Sequence, residues 1–120
     1  MSTIKPLADI RVLAIESYGA GPWATLQLAD LGAEIIKIET PPFGDISRYV
    51  PPGEKDGDSL YFQCLNRGKK SITLDLRKPD GKEILYRLLP EVDVLFANPK
   101  GSMPEKLGLT YEHLKEYNPK

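Results

Sequence analysis

The pattern with the clearest chemical meaning is Gly19-Ala20-Gly21-Pro22-Trp23-Ala24, which matches the G-x-G-x-x-G/A fingerprint of dinucleotide-binding folds. Glu39 follows about 20 residues later, where that fingerprint expects a carboxylate that binds ribose. Two details oppose this interpretation. Glu16 would bring negative charge beside a pyrophosphate, and Pro22 removes an N–H donor from the helix start. The motif is therefore either a nucleotide site or a tight turn that begins a helix.

A second run, Arg67-Gly68-Lys69-Lys70-Ser71, resembles the end of a phosphate-binding loop. A complete P-loop needs a glycine five positions before Gly68, and Gln63 occupies that position, so the P-loop interpretation fails. Basic runs of this kind are usually solvated surface. The functional alternative is a set of point charges for the phosphates of a ligand such as coenzyme A.

The remaining reactive side chains predict no catalytic or metal site. His113 is the single histidine, and one histidine does not build a site with typical ligand spacing, so we expect it to be exposed and incidental. Cys64 is the single cysteine; it excludes an internal disulfide, and its apolar surroundings predict a small buried core residue. No pair of carboxylates has a spacing that marks an acid/base couple.

Composition narrows the possible partners and setting. The chain has 120 residues, a formal net charge of -1, 41% hydrophobic and 28% charged residues, as expected for one soluble globular domain. A nucleic-acid-binding domain is usually strongly basic, and a bilayer-spanning helix needs about 18 apolar residues. The sequence therefore predicts neither a nucleic-acid nor a membrane partner. With no secretion signal visible, we expect a cytoplasmic protein.

The elements that carry these motifs alternate between strands and helices. Ile10–Ile15 and Glu34–Glu39 are short and rich in β-branched residues, which predicts buried strands. Pro22–Leu31 between them is a helix that begins at Pro22, ends at Gly32 and is buried over most of its circumference. Strand, helix and strand together predict a parallel βαβ unit.

The rest of the chain repeats this alternation. A long irregular loop is expected over 40–57, followed by a short buried helix at 58–66, a strand at 71–76, a helix from Pro79 to Pro90, a strand at 92–97, a helical turn at 104–107 and a helix at 111–117 capped by Thr110. The predicted fold is α/β, with a Rossmann-like, mainly parallel sheet and flanking helices. A further strand would normally follow the last helix, so we expect an incomplete N-terminal part of a larger domain.

At the level of whole segments the chain resembles the class III CoA-transferases, the CaiB/BaiF family that includes formyl-CoA transferases and α-methylacyl-CoA racemases. The segments that carry the resemblance are 6–13, 20–22, 28–39, 44–45 with Arg48, 58–62, 66–76 and 107–111. They cover nearly the whole chain in register. The resemblance implies that residues 1–120 are the N-terminal, CoA-binding part of the large domain, without a second domain.

The family implies an enzyme that moves CoA between an acyl-CoA and a carboxylic acid through an aspartate nucleophile. In the family pattern that aspartate lies beyond Lys120, so no catalytic residue is assigned and the chain alone is expected to be inactive. The racemase branch is one alternative; a non-catalytic CoA-binding module and a dinucleotide-binding domain are others. Coenzyme A or acyl-CoA enters as substrate, and neither a permanently bound cofactor nor a metal is implied.

Part of a CoA pocket can be transferred residue by residue from the resemblance. The positions that match it are Tyr18, Gly19, Ala20, Thr40, Leu74, Arg77, Asn98 and Lys106. The first three match the turn beside the pantetheine and thioester. Leu74 matches a neighbour of the adenine, and Arg77 and Lys106 match basic positions near the phosphates.

Two positions depart from the family pattern. Thr40 stands where a basic contact to the nucleotide is common, and Pro99 after Asn98 replaces an aromatic packing partner of the adenine. The family also implies an interlocked homodimer in which extended segments cross between subunits. We therefore expect the chain alone to be unstable or sticky, with an open sheet edge.

Overall fold

In the computed structural model, which describes residues 4–53 and 59–120, the elements alternate as the sequence predicts. The four strands are β1 (Arg11–Ile15), β2 (Glu34–Glu39), β3 (Lys70–Thr73) and β4 (Val94–Ala97). The helices are α1 (Ala20–Asp30), α2 (Leu60–Asn66), α3 (Pro79–Leu88), α4 (Met103–Leu107) and α5 (Tyr111–Leu114), with 3-10 turns at Ile46–Tyr49 and Leu89–Glu91. In this part of the chain no helix is long and apolar enough to cross a membrane.

The four strands form one parallel sheet in the order β3-β2-β1-β4. In β1, Leu13 pairs with Ile36 of β2 on one side and with Leu95 of β4 on the other. The chain therefore moves outward from β1 to β2 and β3, then returns to the opposite side of β1 for β4. The α/β class and the parallel sheet that the sequence predicts are confirmed.

Apolar side chains cover both faces of the sheet. On β1, Leu13 joins the larger cluster, whereas Val12 and Ala14 join the smaller one. The larger cluster is completed by Ile38, Leu74, Leu76, Leu85, Leu89, Val92, Leu109 and Leu114, and the smaller by Ala33 and Ile35. Burial on both faces explains why the strands of a parallel sheet read as nearly continuous apolar runs.

Helix α1 begins earlier than predicted and is exposed along one stripe. It begins at Ala20, two residues before Pro22, because the Gly19 carbonyl already accepts the first helical bond from the Trp23 amide at 2.9 Å. Pro22 remains tolerated since the first-turn amides have no partner within the helix. Burial over most of the circumference is confirmed: the exposed residues lie along one stripe, and the others are buried or half-buried. That stripe consists of Ala20, Trp23, Gln27 and Asp30.

Helix α2 is less buried than the sequence predicts. Its N-cap is Ser59, whose hydroxyl accepts from the Phe62 amide; Asp58, the predicted start, lies outside the described residues. Cys64 is exposed, so its prediction as a core residue was wrong. The apolar spacing predicted a helix, but only one face packs, and Cys64 lies on the other face.

The segment after β2 is more ordered than the predicted irregular loop. It contains the 3-10 turn Ile46–Tyr49, and Asp45 and Ser47 are 2% and 0% exposed. The predicted loop residues 54–57 lie outside the described part of the chain. Strand β3 ends at Thr73 rather than at residue 76, although Leu74 and Leu76 still face the core as predicted.

Candidate functional site

A cleft of about 650 Å³ opens at the carboxyl ends of β1, β2 and β4. Its lining includes five of the eight site residues that the resemblance implies, Tyr18, Gly19, Ala20, Thr40 and Asn98. Strand order changes direction between β1 and β4, and ligands of open α/β sheets bind outside the strand ends at such a switch point. The fold therefore places these residues where a ligand is expected.

The other three predicted site residues lie outside this cleft. Leu74 is buried in the core after β3, where its amide donates to the Glu39 carbonyl. Arg77 is paired through two nitrogens with Asp75 at 2.8 and 2.9 Å. Lys106 is exposed on α4. Of these, Arg77 and Lys106 are exposed, whereas Leu74 is 9% exposed.

The turn after β1 has an unusual backbone. Tyr18 has a φ of 74°, in the left-handed region that non-glycine residues rarely adopt. Its amide donates to Asp45 Oδ1 at 2.9 Å, and its ring lies 5.6 Å from the ring of Tyr61. The Tyr18 side chain is 54% exposed and lines the cleft. A strained position held by specific contacts at a cleft is typical of functional sites.

Asn98 connects the turn after β1 to the end of β4. The backbone amide of Asn98 donates to the Ile15 carbonyl at 3.1 Å. Its side-chain Oδ1 accepts from the backbone amide of Ser17 at 3.2 Å. The side chain fits because Gly21 has none: a Cβ there would lie 2.6 Å from Asn98 Cγ. The second glycine of the motif thus serves close packing between α1 and the β4 loop.

A buried charged cluster lies beneath the cleft. The Lys37 ammonium is 2.6 Å from Asp45 Oδ2 and 3.5 Å from Glu16 Oε1. Lys69 Nζ lies 2.9 Å from the same Glu16 oxygen, and the Thr25 hydroxyl donates to Glu16. Two cations and two carboxylates balance, as buried charges require. Glu16 therefore presents no free negative charge to a ligand.

Burial and the contact with Glu16 have opposite effects on the pKa of Lys69. Desolvation lowers the pKa of Lys69, and the bond to Glu16 partly offsets that effect. Its side chain is only 2% exposed. The prediction that this basic run is solvated surface was therefore wrong for Lys69, because the turn after α2 directs it beneath α1, where it also donates to the Pro22 carbonyl.

Glu39 is fully engaged by protein donors. Arg48 binds it through two nitrogens at 2.8 and 2.7 Å, and the Asp45 amide and the Ser71 hydroxyl each donate at 2.8 Å. Burial acts to raise the pKa of Glu39, but these donors more than offset it and lower the pKa to about 2. The carboxylate that the dinucleotide interpretation assigns to ribose is occupied by the protein itself.

Sequence reasoning missed three residues of this region, Lys37, Asp45 and Lys100, and it assigned Lys69 to a basic turn at the surface. A lysine inside the apolar strand Glu34–Glu39 was the available signal, since a buried ammonium needs a carboxylate partner. The partner lies across a loop, and spacing alone does not identify it. Lys100 lies two residues after Asn98. Among the described residues that line the cleft, it is the charged one that is exposed.

The described residues offer no group of histidine, cysteine and carboxylate side chains that could hold a metal ion. His113 is exposed as predicted, with its Nδ1 at 2.5 Å from the Thr110 hydroxyl. The cleft instead combines apolar walls, backbone groups at a helix start and one accessible cation. Such a site suits an anionic ligand with an apolar or amide-containing portion.

Comparison with known proteins shows the family to which the chain belongs. The sequence model of the CoA-transferase family III matches residues 7–120. The chain is 42% identical to the formyl-CoA:oxalate CoA-transferase of Escherichia coli O81, over all of this chain and 28% of that protein. It is 44% identical to the succinate–glutarate CoA-transferase of Agrobacterium fabrum, over 96% of this chain and 30% of that protein.

A solved structure of a CaiB/BaiF family protein from Brucella suis superimposes with a TM-score of 0.84 at 42% identity, covering 94% of this chain and 31% of that one. The chain thus spans less than a third of the length of these relatives. The resemblance inferred from the sequence is confirmed, and the chain belongs to the CoA-transferase family III.

Proposed function

We propose that this chain forms the CoA-binding part of an enzyme that transfers CoA between an acyl-CoA and a carboxylic acid. The single observation that carries the proposal is the cleft at the ends of β1 and β4, lined by the turn Tyr18 to Ala20 and by Asn98. Its volume is in the usual range for small-molecule sites. Membership of a CoA-transferase family supports the assignment of its ligand.

In this proposal the parts of the cleft have distinct roles. The turn Tyr18 to Ala20 contacts the pantetheine and thioester end, and Thr40 and Asn98 contact the nucleotide side. Lys100 attracts a phosphate, since its ammonium is exposed at the cleft mouth. Arg77 and Lys106 serve only the outer portion of the ligand because they do not line the cleft, and Leu74 lies in the core beneath that portion.

The chemical step itself is proposed to use a group outside this chain. The described charged groups nearest the cleft floor, Glu16, Glu39 and Asp45, are buried and paired within the protein, so none is free to attack a thioester. The relatives named above are transferases, which supports this branch over the racemase branch. Interlocked dimerisation and a location in the cytoplasm stay predictions.

The test is a calorimetric titration of the complete gene product with coenzyme A and, separately, with NAD. We expect saturable binding of coenzyme A and no binding of NAD. Replacing Lys100 with alanine should weaken coenzyme A binding by about 5-fold, the upper range for one exposed ionic contact. Lys115→Ala is the matched control, because Lys115 is an exposed lysine paired with Glu112 away from the cleft.

The variants Arg77→Ala and Lys106→Ala decide how far the ligand extends beyond the cleft. Weaker binding in either would place the phosphates near that residue, and unchanged affinity would confine the contacts to the cleft. Binding of NAD in preference to coenzyme A would overturn the proposed function.

A further inference from the structure

We propose that Asp45 is a positioning residue, which holds the turn at Tyr18 in the shape that receives the thioester end of the ligand. The inference rests on the proposed function for the identity of that ligand. Asp45 belongs to the segment after β2, whereas Tyr18 belongs to the turn after β1. One side chain therefore connects two loops that border the same cleft.

The contacts of Asp45 are concentrated on one oxygen. Its Oδ1 accepts from the Tyr18 amide at 2.9 Å and from the Ser17 hydroxyl at 3.1 Å. The same atom accepts from the amide and hydroxyl of Ser47 at 2.8 and 2.7 Å. The residue is 2% exposed, so water does not replace these bonds if the side chain is lost.

The bond to the Tyr18 amide is directed at a strained residue. A non-glycine residue at a φ of 74° persists only when its surroundings stabilise that conformation. Asp45 and Asn98 supply this stabilisation from either side, through the amides of Tyr18 and Ser17 respectively. Loss of the Asp45 carboxylate would allow the turn to relax and would move the Tyr18 ring, which lines the cleft.

The Asp45 carboxylate is itself held in place by a buried lysine. The Lys37 ammonium, 1% exposed and fixed in β2, lies 2.6 Å from Oδ2. Burial acts to raise the pKa of Asp45, but Lys37 and the donors of Tyr18 and Ser47 more than offset it and lower the pKa. Asp45 is therefore charged at neutral pH, and a charged acceptor makes the stronger bond to an amide.

A purely structural role for Asp45 makes a different prediction. If it only stabilised the fold, its loss would weaken ligand binding equally whatever residue stood at position 18. If it acts by holding the left-handed turn, a glycine at position 18 should make it nearly dispensable for binding, because glycine adopts a positive φ without steric cost. The coupling between the two positions distinguishes these roles.

The experiment measures the affinity of the complete gene product for coenzyme A in four variants and two combinations. The variants are Asp45→Asn, Ser17→Ala, Tyr18→Gly and the control Ser71→Ala; the combinations add Tyr18→Gly to each of the first two. Ser71 is matched to Ser17, since each hydroxyl donates to a buried carboxylate, but Ser71 binds Glu39 and does not touch the turn. Ser17→Ala leaves the Lys37 pair intact and covers the case in which Asp45→Asn does not fold.

We expect Asp45→Asn to weaken coenzyme A binding on the order of 10-fold, because one carboxylate oxygen becomes an NH2 donor and either Lys37 or the Tyr18 turn loses its acceptor, and Ser17→Ala by less. Ser71→Ala should bind like the wild type. In the Tyr18→Gly background both effects should fall below about 2-fold. Wild-type affinity in Asp45→Asn and Ser17→Ala, or full additivity with Tyr18→Gly, would overturn the inference.

Hydrogen exchange at the Tyr18 amide separates this inference from the proposed function. If the wild type does not bind coenzyme A, the proposed function fails, and exchange still decides the role of Asp45. Faster exchange of that amide in Ser17→Ala or Asp45→Asn, but not in Ser71→Ala, supports the positioning role. Unchanged exchange in both test variants contradicts it.

Discussion

Charged residues beneath the cleft are buried in pairs, and this fact governs what each of them can do. Lys37 and Lys69 are held by Asp45 and Glu16, and Glu39 is held by Arg48. Buried pairs of this kind add little net stability, but removal of one partner leaves an uncompensated charge. Their contribution is to fix the floor of the cleft, which presents backbone groups, apolar walls and Lys100.

Replacing Lys37 with methionine tests this account of the buried charges. The variant keeps the length and apolar stem of the side chain, but it leaves the Asp45 carboxylate without its cation. We expect the free energy of unfolding, measured by urea denaturation, to fall by about 3 to 5 kcal/mol. Lys70→Met is the control, because Lys70 is exposed and its partner Glu34 also binds Arg11, and it should unfold close to the wild type. Equal stability of the two variants would contradict the account.

At the scale of elements, local patterns predicted most of the fold. The apolar runs of β1 and β2 and the glycine turn between them gave the parallel unit, and the alternation of Leu74 and Leu76 gave their burial. The buried lysine pairs and the exposure of Cys64 were not predicted, because each depends on contacts between distant segments. The partners of Lys37 and Lys69, and the exposed face of α2 that carries Cys64, follow from tertiary packing that spacing does not encode.

Contacts between distant segments also limited what could be predicted of the candidate site. The resemblance implied eight residues, and topology brings Tyr18, Gly19, Ala20, Thr40 and Asn98 together because they follow parallel strands whose ends meet at one edge. The role of Asp45 was not predictable in this way, because an aspartate within a loop rich in proline and glycine carries no local signal for the turn that it contacts.

Gly21→Ala tests the packing of α1 against the loop after β4. The added Cβ would lie 2.6 Å from Asn98 Cγ, so the Asn98 side chain must move and its bond to the Ser17 amide is lost. We expect affinity for coenzyme A, measured by calorimetry, to fall on the order of 10-fold through misplacement of the turn. In an Asn98→Ala background the space is already clear, and Gly21→Ala should have little further effect. A full effect in that background would show that the contact with Asn98 is not the cause.

At the scale of the whole molecule, the sheet has two outer strands among the described residues, β3 and β4. Beside β4 lies a groove of about 280 Å³ lined largely by apolar side chains, and Val94 on that strand is 42% exposed. These features agree with the expectation of an open edge, and the instability of the chain alone stays a prediction. The relatives are more than three times as long, so this chain corresponds to only part of their length.

The most direct test of the central claim is a hydrogen-exchange footprint of coenzyme A on the complete gene product. We predict that the ligand slows exchange in peptides covering residues 16–20, 44–46 and 98–100, which border the cleft. Peptides of α5 and of the groove beside β4 within this chain should not change. Protection confined to other segments, with residues 16–20 and 98–100 unaffected at saturating coenzyme A, would contradict the assignment of the cleft.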